Sequence, residues 1–175
     1  MNGSLITSSG TPQRLQLSIK AELENVTDLV PSEADGPFEY HFQVKCNSCN
    51  EIHPNLVTVN MHEEHDLTGS RGSAHFVWSC KFCKRESSAK FEPGTKPRPY
   101  TADDSPNFAP LITLDCRGLE FTGFSPQGTW ECKGTDSGTK FGEIELGEGE
   151  WTDYDEKAKL SVSIMEIESK WARAP

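Results

Sequence analysis

No run of about 18 apolar residues, the length a membrane-spanning helix needs, occurs in the 175-residue chain, and no heptad pattern is present. Membrane spans and coiled coils are therefore not expected. Positive charge is scarce: 17 Lys and Arg stand against 27 Asp and Glu, for a net charge of -10 and a pI near 4.9. Such a chain repels phosphate backbones, so general binding to nucleic acid is not expected. Six cysteines in 175 residues are too few for a secreted disulfide scaffold. Met1 to Arg14 is polar and lacks the apolar core of a signal peptide. The expectation is a soluble cytoplasmic protein, with the nucleus as a second location.

Four of the cysteines stand out by their spacing. Cys46-Asn47-Ser48-Cys49 and Cys80-Lys81-Phe82-Cys83 are separated by 30 residues. Two thiols placed two residues apart across a tight turn can both reach one metal ion at about 2.3 Å, and two such turns supply four ligands. Four thiolates suit zinc and leave no open position for substrate or a catalytic water. An iron-sulfur cluster or transient disulfides are the other readings of the same spacing. A thioredoxin-like redox pair fits less well, because each motif closes a strand-like run instead of opening a helix. One Zn2+ per chain, bound by Cys46, Cys49, Cys80 and Cys83, is expected. A zinc-tetrathiolate carries a charge of about -2, which explains Lys45, Lys81, Lys84 and Arg85 nearby without invoking nucleic acid. Asn50 and Lys84 follow the two motifs; Asn tolerates positive φ better than Lys, so the second turn is expected to be the less regular.

Short alternating apolar runs, with 14 glycines and 11 prolines, predict an all-β protein. Phe38, Tyr40, Phe42, Val44 and Cys46 alternate with polar residues, as do Ala74, Phe76, Trp78 and Cys80. Leu15 to Leu23, Leu56 to Met61 and Ser87 to Phe91 are further strand candidates. The spacing divides the chain into a disordered tail (1–13), a zinc-binding β half (14–92) with a zinc-ribbon-like pair of knuckles, a connector (93–110) and a second β half without metal (111–175). The halves are expected to be related and to form one compact unit, since Leu23 to Pro31 echoes Leu119 to Pro126.

Several other groups invite a chemical reading. His62 and His65 read as exposed loop residues, because four cysteines already complete a site. The carboxylates Glu143, Glu145, Glu148, Glu150, Asp153, Asp155 and Glu156 read as a solvated face, and Asp153 with Glu156 has the spacing of a capping box on a short helical turn. Cys116 beside Arg117, with Cys132 as resolving thiol, would be the pair of a thiol-redox enzyme. Alternation with Ile112 and Leu114 places Cys116 in an apolar layer instead.

These motifs, together with Gly69-Ser70-Arg71-Gly72-Ser73-Ala74, Cys116-Arg117-Gly118-Leu119-Glu120 and Trp151-Thr152-Asp153-Tyr154-Asp155-Glu156-Lys157-Ala158, resemble the eukaryotic CXXC-motif zinc-binding protein family from about Leu15 to Ile167. The resemblance implies an all-β fold with two related halves, one zinc on the four cysteines and a cytosolic or nuclear location; it implies no activity. With no nucleophile-base pair in view, the function expected is a non-enzymatic, monomeric module that binds a protein partner, with Gly69, Arg71 and Gly72 as a candidate interaction loop. Thiol-redox catalysis by Cys116 and zinc delivery are the alternatives.

Overall fold

Residues 11–175 are described by the computed structural model, and every regular element among them is a β-strand. Residues 1–10 of the expected tail lie outside the described residues, and the first strand, β1 (Gln13–Glu24), begins at the tail's last position. Then come β2 (Val26–Pro31), β3 (Tyr40–Cys46), β4 (Val57–Val59), the short pair β5 (His65–Asp66) and β6 (Ser73–Ala74), β7 (Phe76–Ser79) and β8 (Glu86–Phe91). After the connector follow β9 (Ala109–Arg117), β10 (Leu119–Ser125), β11 (Thr129–Gly134), β12 (Lys140–Glu145), β13 (Trp151–Asp155) and β14 (Leu160–Arg173).

Period-2 patterning decides which faces go inside. In β3, Tyr40, Phe42, Val44 and Cys46 are buried while the residues between them are half-buried, and in β1 Leu15, Leu17, Ile19 and Ala21 do the same. Each large apolar side chain fully removed from water contributes about 1.5–3 kcal/mol. Tyr40, Phe42, Phe121, Phe124 and Trp171 form an aromatic cluster around β3, with Phe42 and Phe121 centroids 4.6 Å apart.

The strand order is a palindrome. The six-stranded sheet runs β13-β14-β1-β9-β8-β7, and the two three-stranded sheets run β10-β3-β4 and β2-β11-β12. Exchanging β1 with β9, β2 with β10, β3 with β11, β4 with β12, β7 with β13 and β8 with β14 returns the same topology, about an axis between β1 and β9. The halves are related as the echo implied, and each lends strands to the other: β3 pairs with β10, and β2 with β11. Among the described residues, only the β5-β6 hairpin has no counterpart.

Three readings of the sequence are corrected. The echo holds at a different register, because Asn25 (φ 58°) and Gly118 (φ 80°) are the matching left-handed residues that end β1 and β9. Val26, not Leu23, therefore matches Leu119. No helical turn forms at Asp153; it lies in β13, and the turn that follows is closed by Asp155, which accepts hydrogen bonds from the N–H groups of Lys157 and Ala158 at 3.1 and 3.2 Å. Nor is the acidic run uniformly solvated, since Asp155 is only 1% exposed. The connector is free of regular strand only as far as residue 108, since Ala109 and Pro110 already belong to β9, and it is pinned by buried Tyr100, whose hydroxyl donates to Asn107 O at 2.6 Å and whose backbone bridges to Leu29.

Candidate metal centre

Strands β3 and β7 both run out at the same pole of the molecule, and each ends in a tight turn of one design. In the first, Cys46 N–H donates to Glu51 O at 2.9 Å and Asn50 N–H donates to Cys46 O at 2.8 Å. In the second, Cys80 N–H donates to Arg85 O at 3.0 Å and Lys84 N–H to Cys80 O at 2.9 Å. Asn50 and Lys84 have φ of 66° and 67°, so the second turn is as regular as the first, against expectation. The need to aim both of its thiols at one point outweighs the roughly 1–2 kcal/mol that a left-handed Lys costs.

The turns bring the four thiols together. Cys46 Sγ lies 3.6 Å from Cys83 Sγ, Cys49 Sγ lies 3.7 Å from Cys80 Sγ, and all four lie within 4.8 Å of one another. A tetrahedron with zinc-sulfur bonds of about 2.3 Å has sulfur-sulfur edges of about 3.8 Å, so the cluster fits a structural zinc site. Phe82 N–H points at Cys80 Sγ at 3.4 Å, the kind of backbone donor that stabilises a metal-bound thiolate. Burial opposes ionisation of Cys80, but the N–H groups of Cys83 and Phe82 and the thiols of Cys49 and Cys83 bring its pKa down to about 7. At Cys49 the Glu51 N–H favours ionisation, yet desolvation and the three neighbouring thiols together push it up to about 12. Crowded thiols thus resist ionising together, and a dication at their centre removes that resistance. Cys46 and Cys80 are buried, whereas Cys49 and Cys83 are partly exposed.

Lys81, Lys84 and Arg85 surround the second turn and are exposed; Lys45 is held 3.5 Å from Glu120. His62 and His65 stay out of the cluster and exposed, His62 bonding Glu33 at 3.0 Å. Cys116 is fully buried between β1 and β8, where desolvation, then the charges of Asp115 and Glu120, raise its pKa well above the usual thiol range. Cys132, in a different sheet, is pushed up to about 12, mainly by desolvation. Neither is poised as a reactive thiolate.

The Gly69 to Gly72 loop sits against the second turn. Leu67 N–H donates to Gly72 O at 3.0 Å, Gly69 takes φ 72° at its tip, and Thr68 donates to both Glu86 oxygens at 2.7 and 3.1 Å. Between loop and sheet lies a groove of about 970 Å³ lined in part by Ser70, Lys84, Arg85, Lys90 and Arg117. Arg71, the next residue after Ser70, is exposed. Sequence reasoning missed this groove and also Phe82, which is 58% exposed at the tip of the second turn. An aromatic between two cysteines was the available signal.

Residues 16–172 match the family model described as CXXC motif containing zinc binding protein, eukaryotic. The human CXXC motif containing zinc binding protein is 40% identical over 160 residues, 91% of this chain and 98% of the relative. The solved structure of C1orf123 superposes with a TM-score of 0.84 at 40% identity, covering 92% of this chain and 99% of that one. A hypothetical protein from Plasmodium falciparum shares the fold, with a TM-score of 0.80 at 21% identity over 91% of this chain and 99% of its own.

Proposed function

The chain belongs to the eukaryotic family of CXXC-motif zinc-binding proteins, and from that footing we propose that it is a non-enzymatic, monomeric interaction module of the cytoplasm and nucleus, built on one zinc ion per chain held by Cys46, Cys49, Cys80 and Cys83. The ion is structural, because four thiolates close its coordination shell. The partner is an acidic segment of another protein, docked along the groove beside the second turn. One observation carries the docking reading: a chain of net charge -10 gathers Lys84, Arg85, Lys90 and Arg117 around a single groove, and exposed Arg71 follows groove-lining Ser70 in the adjoining loop. Two carboxylates share the groove, Glu86, which Thr68 engages, and Asp115, so the four cations still outnumber them. Charge of this kind steers association and selects partners.

Elemental analysis of purified protein tests the metal, with one zinc expected; iron in its place would contradict the reading. In-cell cross-linking of wild type against Arg71→Glu tests the docking, with loss of a reproducible acidic partner expected. An identical set of partners for both proteins would overturn the groove assignment. The partial exposure of Cys49 and Cys83 favours one second reading, zinc delivery. It would show as transfer of the ion to an apo-acceptor faster than spontaneous release.

A further inference from the structure

The fold's pseudo-symmetry gives the metal pole a counterpart, formed by the turns after β11 and β13. The first of these turns repeats the backbone hydrogen bonds of the first cysteine turn, and the second repeats the strand pairing and left-handed residue of the other. Gly134 N–H donates to Thr139 O at 2.8 Å and Gly138 N–H to Gly134 O at 3.0 Å, as Cys46 and Asn50 do in the first turn, and Gly138 is left-handed at φ 72° like Asn50. Thr135 N–H reaches Asn25 O at 3.1 Å where Asn47 N–H reaches Gly118 O at 3.0 Å, tying each turn to the matching left-handed residue of the other half. In the other turn Asp155 pairs with Leu160, as Cys80 bonds Arg85, and Lys159 (φ 59°) takes the place of Lys84. Counting along these turns puts Gly134 where Cys46 stands, Ser137 where Cys49 stands, Asp155 where Cys80 stands and Ala158 where Cys83 stands.

We infer that this second pole is a lapsed metal site in which the Asp155 carboxylate cross-links the two turns in place of an ion. From one turn it receives Ser137 Oγ–H at 2.5 Å and Thr139 Oγ1–H at 3.0 Å, and from its own turn the N–H groups of Lys157 and Ala158. Those are connections that a metal with ligands from both turns would make. Gly134 is the permissive residue: a Cβ there would collide with Asp155 Oδ2 and lie 2.8 Å from Ser137 Oγ. The carboxylate occupies the room that a cysteine at 134 would use, so the glycine and the aspartate belong to one arrangement. Outside the left-handed region, Gly134 has a backbone that a cysteine can adopt. The functional consequence is an asymmetry in metal dependence: loss of zinc unfastens one pole, while the other stays closed and keeps the shared six-stranded sheet in register.

The test is to restore the site. In the variant Gly134→Cys, Ser137→Cys, Asp155→Cys, Ala158→Cys, elemental analysis is expected to rise from one to two zinc ions per chain. A folded variant that still carries one would overturn the inference. Should the fourfold variant fail to fold, Ser137→Cys with Ala158→Cys replaces it, since the matching thiols of Cys49 and Cys83 lie within 4.8 Å. Dibromobimane is expected to bridge the new pair within one chain; folded protein in which the two thiols are alkylated only separately would overturn the inference equally.

Discussion

The two poles of this molecule share a backbone and solve the same problem with different chemistry. At one, four thiols within 4.8 Å fit a zinc ion; at the other, one buried carboxylate gathers four hydrogen bonds. A closed turn pair needs a cross-link of any kind, and the backbone does not dictate which. What differs is reversibility: an ion leaves when chelated, whereas a carboxylate is neutralised only by acid. The surfaces differ as well. Exposed Phe82 and Ile52 of the zinc pole correspond in register to Lys157 and Lys140 of the other, so at these two positions an apolar side chain on one pole is replaced by a cation on the other.

The largest effect should come from breaking the zinc pole. Structural zinc is worth about 10–16 kcal/mol in small zinc-finger peptides, and each kcal/mol lost lowers Tm by about 2–4 °C in a chain of this size. Cys49→Ser is therefore expected to lose zinc and unfold at a Tm lower by ten degrees or more; an unchanged melting curve would show that the ion is dispensable. Gly134→Ala should cost about 1–3 kcal/mol, as overpacking does, because its Cβ meets the Asp155 carboxylate. Combining it with Asp155→Ser should recover part of that loss, which chemical denaturation would show.

A smaller effect is expected from acid. The Ser137 hydroxyl holds the Asp155 pKa below its usual value, with burial opposing and the Ala158 N–H assisting. A depressed folded pKa means that its stabilisation is fully present above the ordinary carboxylate value of about 3.9 and fades as pH falls through the lower folded value. Stability measured between pH 5 and 2 should fall less steeply in Asp155→Asn than in wild type, and equal slopes would count against the clasp. The smallest effect on stability belongs to the exposed tips: Phe82→Ala and Lys157→Ala should each stay within about 0.5 kcal/mol of wild type in chemical denaturation.

The cysteine cluster was legible because ligand spacing is local: two residues between thiols fixes a turn whatever the rest of the chain does. Strand β3 was legible for the same reason, its alternation from Tyr40 to Cys46 being complete. Pairing was not, because nothing in Leu15 or Leu17 says that β1 lies between β9 and β14. The echo is visible in the sequence but its register is not, since leucines align by identity where the left-handed residues Asn25 and Gly118 carry the equivalence. Asp155 was hidden among exposed carboxylates; its burial depends on a glycine in another hairpin, which no local pattern reveals. Phe82 was passed over because an aromatic in a turn reads equally as core.

Amide hydrogen exchange before and after removal of zinc by a chelator tests most directly the claim that two equivalent poles are closed by different means. The account predicts that the Asn50 and Lys84 amides, bonded to Cys46 O and Cys80 O, lose protection when zinc leaves, while the Gly138, Lys157 and Ala158 amides keep theirs. Loss of protection at both poles together, or at neither, would contradict it.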